Sequence, residues 1–266
     1  MYNIKINFEH IGLENVVRRL DALAASQIPY AQKQTLNRLA AEEVKPAIVE
    51  TMKKVFDRPT PYTLNSLYVK YATKQRLESV VYLKDESFKG TPATKYLSPQ
   101  IEGGARQLKR FERALQNAGA LPANTYITPG PDCPLDIYGN IPNGLIIQIL
   151  SYFRAFGEQG YRANITEKRR EKLARGTKKA RGYRYFISRG PGTETLAGNP
   201  QHLQAGIYKS TSFAWGSAVQ LIFMFIKPPK YKKRLPYYEI AQQIIDAKWQ
   251  PIFAEELRRA TASAEK

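Results

Sequence analysis

The chain has 266 residues, is 43% hydrophobic and holds 17 tyrosines, which excludes a wholly disordered polymer and leaves room for one large domain or two small ones. Its formal charge of +18 points to an anionic partner or an acidic protein neighbour. The longest apolar run, 218–226, has nine residues where a membrane helix needs about 20, and "MYNIKINFEH" lacks the apolar core of a signal peptide. A soluble protein made in the cytoplasm, without membrane contact, is expected.

Cys133 is the only cysteine, so no intrachain disulfide can form, and His10 and His202 offer no zinc-finger spacing. The charge is concentrated. Residues 162–189 hold eleven Lys/Arg against Glu167 and Glu171, a net +9, and residues 227–234 hold five Lys/Arg and no acid. Residues 1–60, with nine basic and seven acidic side chains, are close to balance.

Ile4, Ile6 and Phe8 alternate and predict a short strand. Leu13, Val16, Val17, Leu20, Leu23 and Ala24 then recur at helical spacing, an amphipathic helix. Residues 28–56 predict a longer helix with an apolar stripe of Leu36, Leu39, Ala40, Val44, Ala47 and Ile48, kinked or broken at Pro46. Pro59 and Pro61 fix their own φ and push Arg58 and Thr60 toward extended backbone, which makes a rigid elbow before a strand from Thr63. In that strand Leu67, Val69 and Tyr71 share one face and Tyr68 and Lys70 the other; a second strand after residues 73–76 completes an antiparallel hairpin.

Residues 105–119 predict a helix that starts after Gly103 and Gly104 and stops at Gly119. Residues 125–144, with four prolines and three glycines, predict a long loop, and Asn143 a cap for an apolar helix over 144–157. After the basic segment come strands at 183–188, 205–210 and 218–226, the last apolar enough to be covered on both faces. A helix over 235–260 closes the chain, with a site for a bend at Gln250 and Pro251.

These elements predict an α+β fold: an antiparallel sheet of about five strands packed with long N- and C-terminal helices, plus a helical and loop insertion with a basic arm. The expected division is an N-terminal helical arm, 1–58, and an α+β body, 59–266, with an insertion at about 90–200 that contains the basic segment 162–189.

No phosphate-loop, nucleophile-elbow or HExxH motif is present. Asp132 and Asp136, in "GPDCPLDIYGN", form the only spacing that invites a Mg²⁺ ion, as a nuclease would need; solvated turn carboxylates are the plainer reading. No catalytic, cofactor-binding or metal-binding residue is assigned, and a non-enzymatic protein is expected. Candidates for contact with phosphates or an acidic partner are Lys168, Arg169, Arg170, Lys172, Arg175, Lys178, Lys179 and Arg181, with Lys230, Lys232, Lys233 and Arg234. Tyr183 and Tyr185 are available for stacking on bases. A solvated face, or an arm that pairs with acidic residues of a neighbouring subunit, has the same composition. Without an RRM, KH or zinc-finger signature, sequence-specific readout is not expected.

The C-terminal third has a recognisable plan: a strand starting at Gly206, Ile207 and Tyr208, an apolar strand, "KYKKRLPYYE", and a helix ending "FAEELRRA". With "TLNRLAAEEVKPAIVETMKKVFDRPTPYTLNSLYVKYATK", "KGTPATKYLSPQIEGGARQLKRFERAL" and "GLIIQILSYFRAFGEQGY", it resembles tailed-bacteriophage minor tail proteins of the lambda protein Z type, and the broader neck and tail-completion (head–tail connector) group. The resemblance covers most of the chain, which is longer than the lambda-type protein around residues 90–200. It implies a non-enzymatic virion component at the head–tail junction or in the tail, assembled in the host cytoplasm as an oligomeric ring with portal, adaptor or tail proteins of the same virion. The elbow at Pro59 and Pro61 would fix the angle of an arm reaching an adjacent subunit. A basic surface there suits a channel crossed by genomic DNA, where contacts are weak and sequence-independent. A sequence-independent nucleic-acid-binding accessory protein is the alternative.

Overall fold

The computed structural model describes residues 2–6, 22–86, 90–193 and 202–264. Most of the helix expected from Leu13, together with Phe8 and His10, lies outside the described residues. In chain order the elements are β1 (Asn3–Ile6), α1 (Ala22–Arg38), a π-helical turn (Leu39–Val44), α2 (Lys45–Val55), α3 (Pro61–Leu64), β2 (Leu67–Lys70), β3 (Ser79–Leu83), α4 (Ala93–Ile101) and β4 (Gly104–Ala105). There follow α5 (Arg110–Asn117), β5 (Tyr126–Pro129), α6 (Asn143–Tyr152), a 3₁₀ turn (Glu158–Ala163), α7 (Glu167–Arg175), β6 (Tyr183–Ser188), β7 (Gly206–Phe213), β8 (Gly216–Ile226), β9 (Lys230–Tyr231) and α8 (Tyr237–Ala264). The fold is α+β. Its strands are shared among small sheets, with three in one and four in another, rather than gathered in a single sheet of about five. No helix among the described residues is long and apolar enough to cross a membrane.

Two compact units divide the chain, Met1–Gly104 with Tyr231–Lys266, and Ala105–Lys230. The boundaries therefore fall at 104/105 and 230/231, not at 58/59. In the first unit Leu36, Leu39, Ala40, Val44, Ile48 and Met52 are all fully buried, because the apolar stripe of α1 and α2 needs a partner and finds it in α8. Residues 22–58 thus belong to the core and form no separate arm. Pro46 neither breaks nor ends the helix. A π turn precedes it, in which Lys45 N donates to Ala40 O five residues back, so Pro46 falls in the first turn of α2 where its missing N–H is no loss.

The elbow is more detailed than two prolines suggest. Phe56 is extended, Arg58 takes φ +46°, and Thr60 caps α3, accepting from Thr63 N at 3.2 Å with Pro61 at the first helical position. Thr63 and Leu64 are consequently helical, and the strand begins at Leu67 and ends before Tyr71, which is exposed. β3 lies between β1 and β2, antiparallel to both, with Val81 opposite Ile4 and Val69. Ile4, Leu67, Val81 and Leu83 face the helices, and the buried Tyr237 hydroxyl donates to Val81 O at 3.1 Å. Arg38 joins α1 to α8 by ion pairs to Glu255 at 2.7 Å and Glu256 at 3.0 Å.

The second unit is built on the order β5-β8-β7-β6, antiparallel throughout. Its edge strand β5 lies inside the Pro- and Gly-rich stretch read as a loop; an edge position tolerates Pro129 because one side of the strand needs no ladder donor. Phe111, Leu115, Ile127, Ile149, Tyr152, Tyr185, Ile207 and Phe223 form the core. β8 is buried at Leu221, Ile222 and Phe223 and half-buried from there to its end, where Phe225 packs on the core; Ala218, Val219 and Gln220 are exposed. Asn143 is the first helical residue of α6 and supplies no cap, because Pro142 holds the preceding position. α5 starts at Arg110, where Glu112 accepts from Lys109 N at 2.7 Å.

Candidate anion-binding surface

Residues 105–230 hold nineteen Lys/Arg against seven Asp/Glu, a net +12 of the total +18. Much of this charge leaves the core by way of α7. Thr166 caps the helix, its hydroxyl accepting from Arg169 N at 3.4 Å, with Glu167 in the first turn and Lys172 and Arg175 in the last, as the helix dipole favours. Arg170, Leu173 and Ala174 make the inner face. Leu173 packs on the core, and the Arg170 guanidinium sits 4.6 Å above the Tyr152 ring. Lys168, Arg169, Lys172 and Arg175 stand on the exposed face, where Arg175 lies 3.7 Å from Glu171.

The stretch "GTKKARG" after α7 is an ordered turn. Gly176 takes φ +74° and bridges to Arg181; Thr177 N donates to Ala180 O at 2.7 Å, and the Thr177 hydroxyl accepts from Ala180 N at 3.0 Å. A Cβ on Gly182 would lie 2.1 Å from Ala174 O, so only glycine lets the returning strand pass this close to the helix end. Lys178 and Lys179 project at the tip. Among the described residues no carboxylate pairs with Lys168, Arg169, Lys172, Lys178 or Lys179.

The turn is an outgrowth of the sheet. Ser212 N donates to Gly182 O at 3.0 Å, which carries the register of β6 and β7 one step past Tyr183 and Thr211 and sets Arg181 beside Phe213. The Arg181 guanidinium stacks 4.2 Å over the Phe213 ring. Phe213 in turn faces Gly216 across the β7–β8 hairpin, closed by Ala214 and Trp215. Gly176, Arg181, Phe213 and Gly216 thus form one row across the end of the sheet. From Ser212 to Gln220 the hairpin is exposed on both faces, and Trp215 is 100% exposed.

Of the tyrosines expected to stack on bases, Tyr185 is buried and Tyr183 is half-buried. Tyr185 is 3% exposed, edge-on to Tyr152 and Tyr183, and burial pushes its hydroxyl pKa up. Tyr183 accepts from Gln148 Nε2 and lies 4.7 Å beneath Lys209 Nζ. In the second unit Phe213 and Trp215 are exposed instead. The second basic cluster divides between the units. Lys230 ends the second; in the first, Lys233 pairs with Glu239, and Arg234 donates to Val55 O and lies 6.0 Å from the Phe56 ring centroid, while Lys232 is exposed.

Asp132 and Asp136 are both bound to backbone. Asp132 accepts from Leu221 N at 2.8 Å, and Asp136 from Tyr138 N at 2.9 Å and Asn140 N at 2.8 Å, as turn carboxylates do. Among the described residues no three His, Cys, Asp or Glu gather to hold a metal ion. Cys133 is buried, and burial pushes its thiol pKa up, away from the reactive thiolate.

The chain matches no protein-family model, no curated protein and no solved structure. Its surface must be read from its own residues. Phe213, Trp215 and the turn that carries Lys178 at the same end of the sheet escaped a reading by composition. The signal for the hairpin was the two-residue gap in "TSFAWGS", which leaves "SF" and "GS" in pairing register.

Proposed function

We propose that the chain is a non-enzymatic structural component of a tailed-phage virion, at the head–tail junction or in the tail. In this reading it forms an oligomeric ring with portal, adaptor or tail proteins, and its basic surface meets genomic DNA or an acidic neighbour. One observation carries most weight: the segments "TLNRLAAEEV" and "AEELRRA", far apart in sequence and both part of the resemblance, share one core through the Arg38 pairs to Glu255 and Glu256. They belong to one compact unit, as the resemblance expects of segments of one body. The stretch around 90–200, where the chain is longer than the lambda-type protein, then falls mostly in the second unit and contains the basic segment 162–189. The elbow at Pro59 and Pro61 sets the angle between α2 and β2 within the first unit.

Cryo-EM and cross-linking of purified phage particles made with this chain test the reading. A closed ring at the portal–tail junction or on the tail supports it; particles that lack the chain overturn it. The second reading, a sequence-independent nucleic-acid-binding accessory protein, is favoured by the outward cations of α7 and the turn after it. It predicts salt-dependent binding by the isolated chain.

A further inference from the structure

We infer that the basic turn 176–181 and the β7–β8 hairpin tip form one binding element for single-stranded nucleic acid, in which Lys178 and Lys179 meet phosphates and Trp215 stacks on a base. The inference rests on the second unit alone and does not need the virion reading. The row Gly176, Arg181, Phe213, Gly216 puts the two tips side by side at the same end of one sheet. At about 4.8 Å per strand, the lysine tip and the tryptophan tip are on the order of 10 Å apart. Successive nucleotides of a single strand span that distance, with phosphates on one side and bases on the other.

Each part of the element suits this ligand. Trp215 has both ring faces open to water, an unusual place for the largest of the aromatic side chains, which is highly buried on average. Phe213 is capped by Arg181, which fixes a guanidinium next to the tip with a plane and a charge to offer. A two-stranded ribbon exposed on both faces is marginal by itself, so a ligand that packs on it stabilises it. The field around it is that of a unit carrying +12. A second copy of the chain would bring like charge to the site, and a lipid surface would meet Trp215, Val219 and the Arg181-capped Phe213 interspersed with Ser212, Ser217 and Gln220 rather than a continuous apolar patch. A duplex hides its bases from stacking. An anionic strand with exposed π faces matches both halves of the element.

The test is a titration of the full chain with fluorescent oligothymidylate across a range of salt concentrations. The chain has two tryptophans, and Trp249 is buried against Phe253, so quenching of intrinsic emission reports Trp215. Trp215→Ala should weaken binding roughly 5- to 150-fold and leave the salt slope unchanged; Trp215→Phe should restore part of the affinity. Lys178→Ala with Lys179→Ala should weaken binding and flatten the slope of log affinity against log salt by roughly 1.4, at about 0.7 per phosphate. Circular dichroism checks that the folds are intact, which Trp215→Ala should be, since its ring is bare. Unaltered affinity in Trp215→Ala, equal affinity for duplex, or binding only to anionic vesicles would each overturn the inference. Loss of oligonucleotide binding would leave the ring reading standing, and absence from particles would leave this one.

Discussion

Two stretches of dense positive charge look alike in sequence and are used differently. At 168–181, five cations lie on an exposed helix face or turn tip and pair with no carboxylate among the described residues. At 230–234, Lys233 is held by Glu239, and Arg234 is held by Val55 O and lies near the Phe56 ring. Arg106 is the extreme case. It lies against the fully buried Glu112, 2.5 Å and 2.7 Å from the two carboxylate oxygens, and Glu112 also accepts from Ile127 N at 2.9 Å. Charge density locates a field. Whether a given cation holds the fold together or is open to a partner depends on what folding brings within 4 Å of it.

That contrast is sharpest where the cation is most enclosed. Glu112→Ala would take the carboxylate from the guanidinium of Arg106 and the acceptor from the amides of Ile127 and Lys109, and should cost about 3–5 kcal/mol in urea unfolding. Burial alone pushes the Glu112 carboxyl up, but the donors from Arg106, Ile127 and Lys109 outweigh it and hold the pKa below the usual range. A depressed folded pKa stabilises above the unfolded value of about 4.3, so this contribution is complete at neutral pH and is lost as pH falls through the folded value. The urea midpoint of the native chain should therefore drop on acidification below about pH 4, and Glu112→Gln should lose that part of the dependence. Equal pH profiles for the two proteins would remove Glu112 from the account.

A somewhat smaller loss is expected at Gly182→Ala, whose Cβ meets Ala174 O at 2.1 Å and its carbon at 2.8 Å. About 1–3 kcal/mol of overpacking should loosen the basic turn, seen as faster hydrogen exchange at Ala180 and Ser212 N–H. Exchange at the native rate would mean that the turn is not braced by this contact. Arg234→Ala should cost roughly 0.5–1.5 kcal/mol for its bond to Val55 O. Lys178→Ala with Lys179→Ala should stay within about 0.5 kcal/mol of the native chain. Equal losses for the last two variants would erase the difference between held and open cations.

The parts of this picture legible in the sequence are those set by local periodicity. Leu36, Leu39, Ala40, Val44 and Ile48 all reach the core, because a helical stripe is fixed by spacing within one element. Leu67 and Val69 turn inward and Tyr68 and Lys70 outward for the same reason. β5 was hidden because its neighbour is β8, about a hundred residues later, and its composition is that of a loop. The outer hairpin gave no alternation, since residues 212–220 face water on both sides and nothing selects apolar positions. At the site, the charge of 162–189 was plain, but not which cations were already held. Arg234 finds Val55 across 179 positions, and the pairing of Arg181 with Phe213 depends on sheet register.

The most direct measurement compares two variants of the full chain that each remove two positive charges: Lys178→Ala with Lys179→Ala, and Lys233→Ala with Arg234→Ala. Affinity for oligothymidylate would be followed against salt for both. The expected result is a slope flattened by roughly 1.4 in the first variant and the native slope in the second. Equal flattening in both, or a native slope in the first, would contradict the assignment of 168–181 as the surface open to an anionic partner.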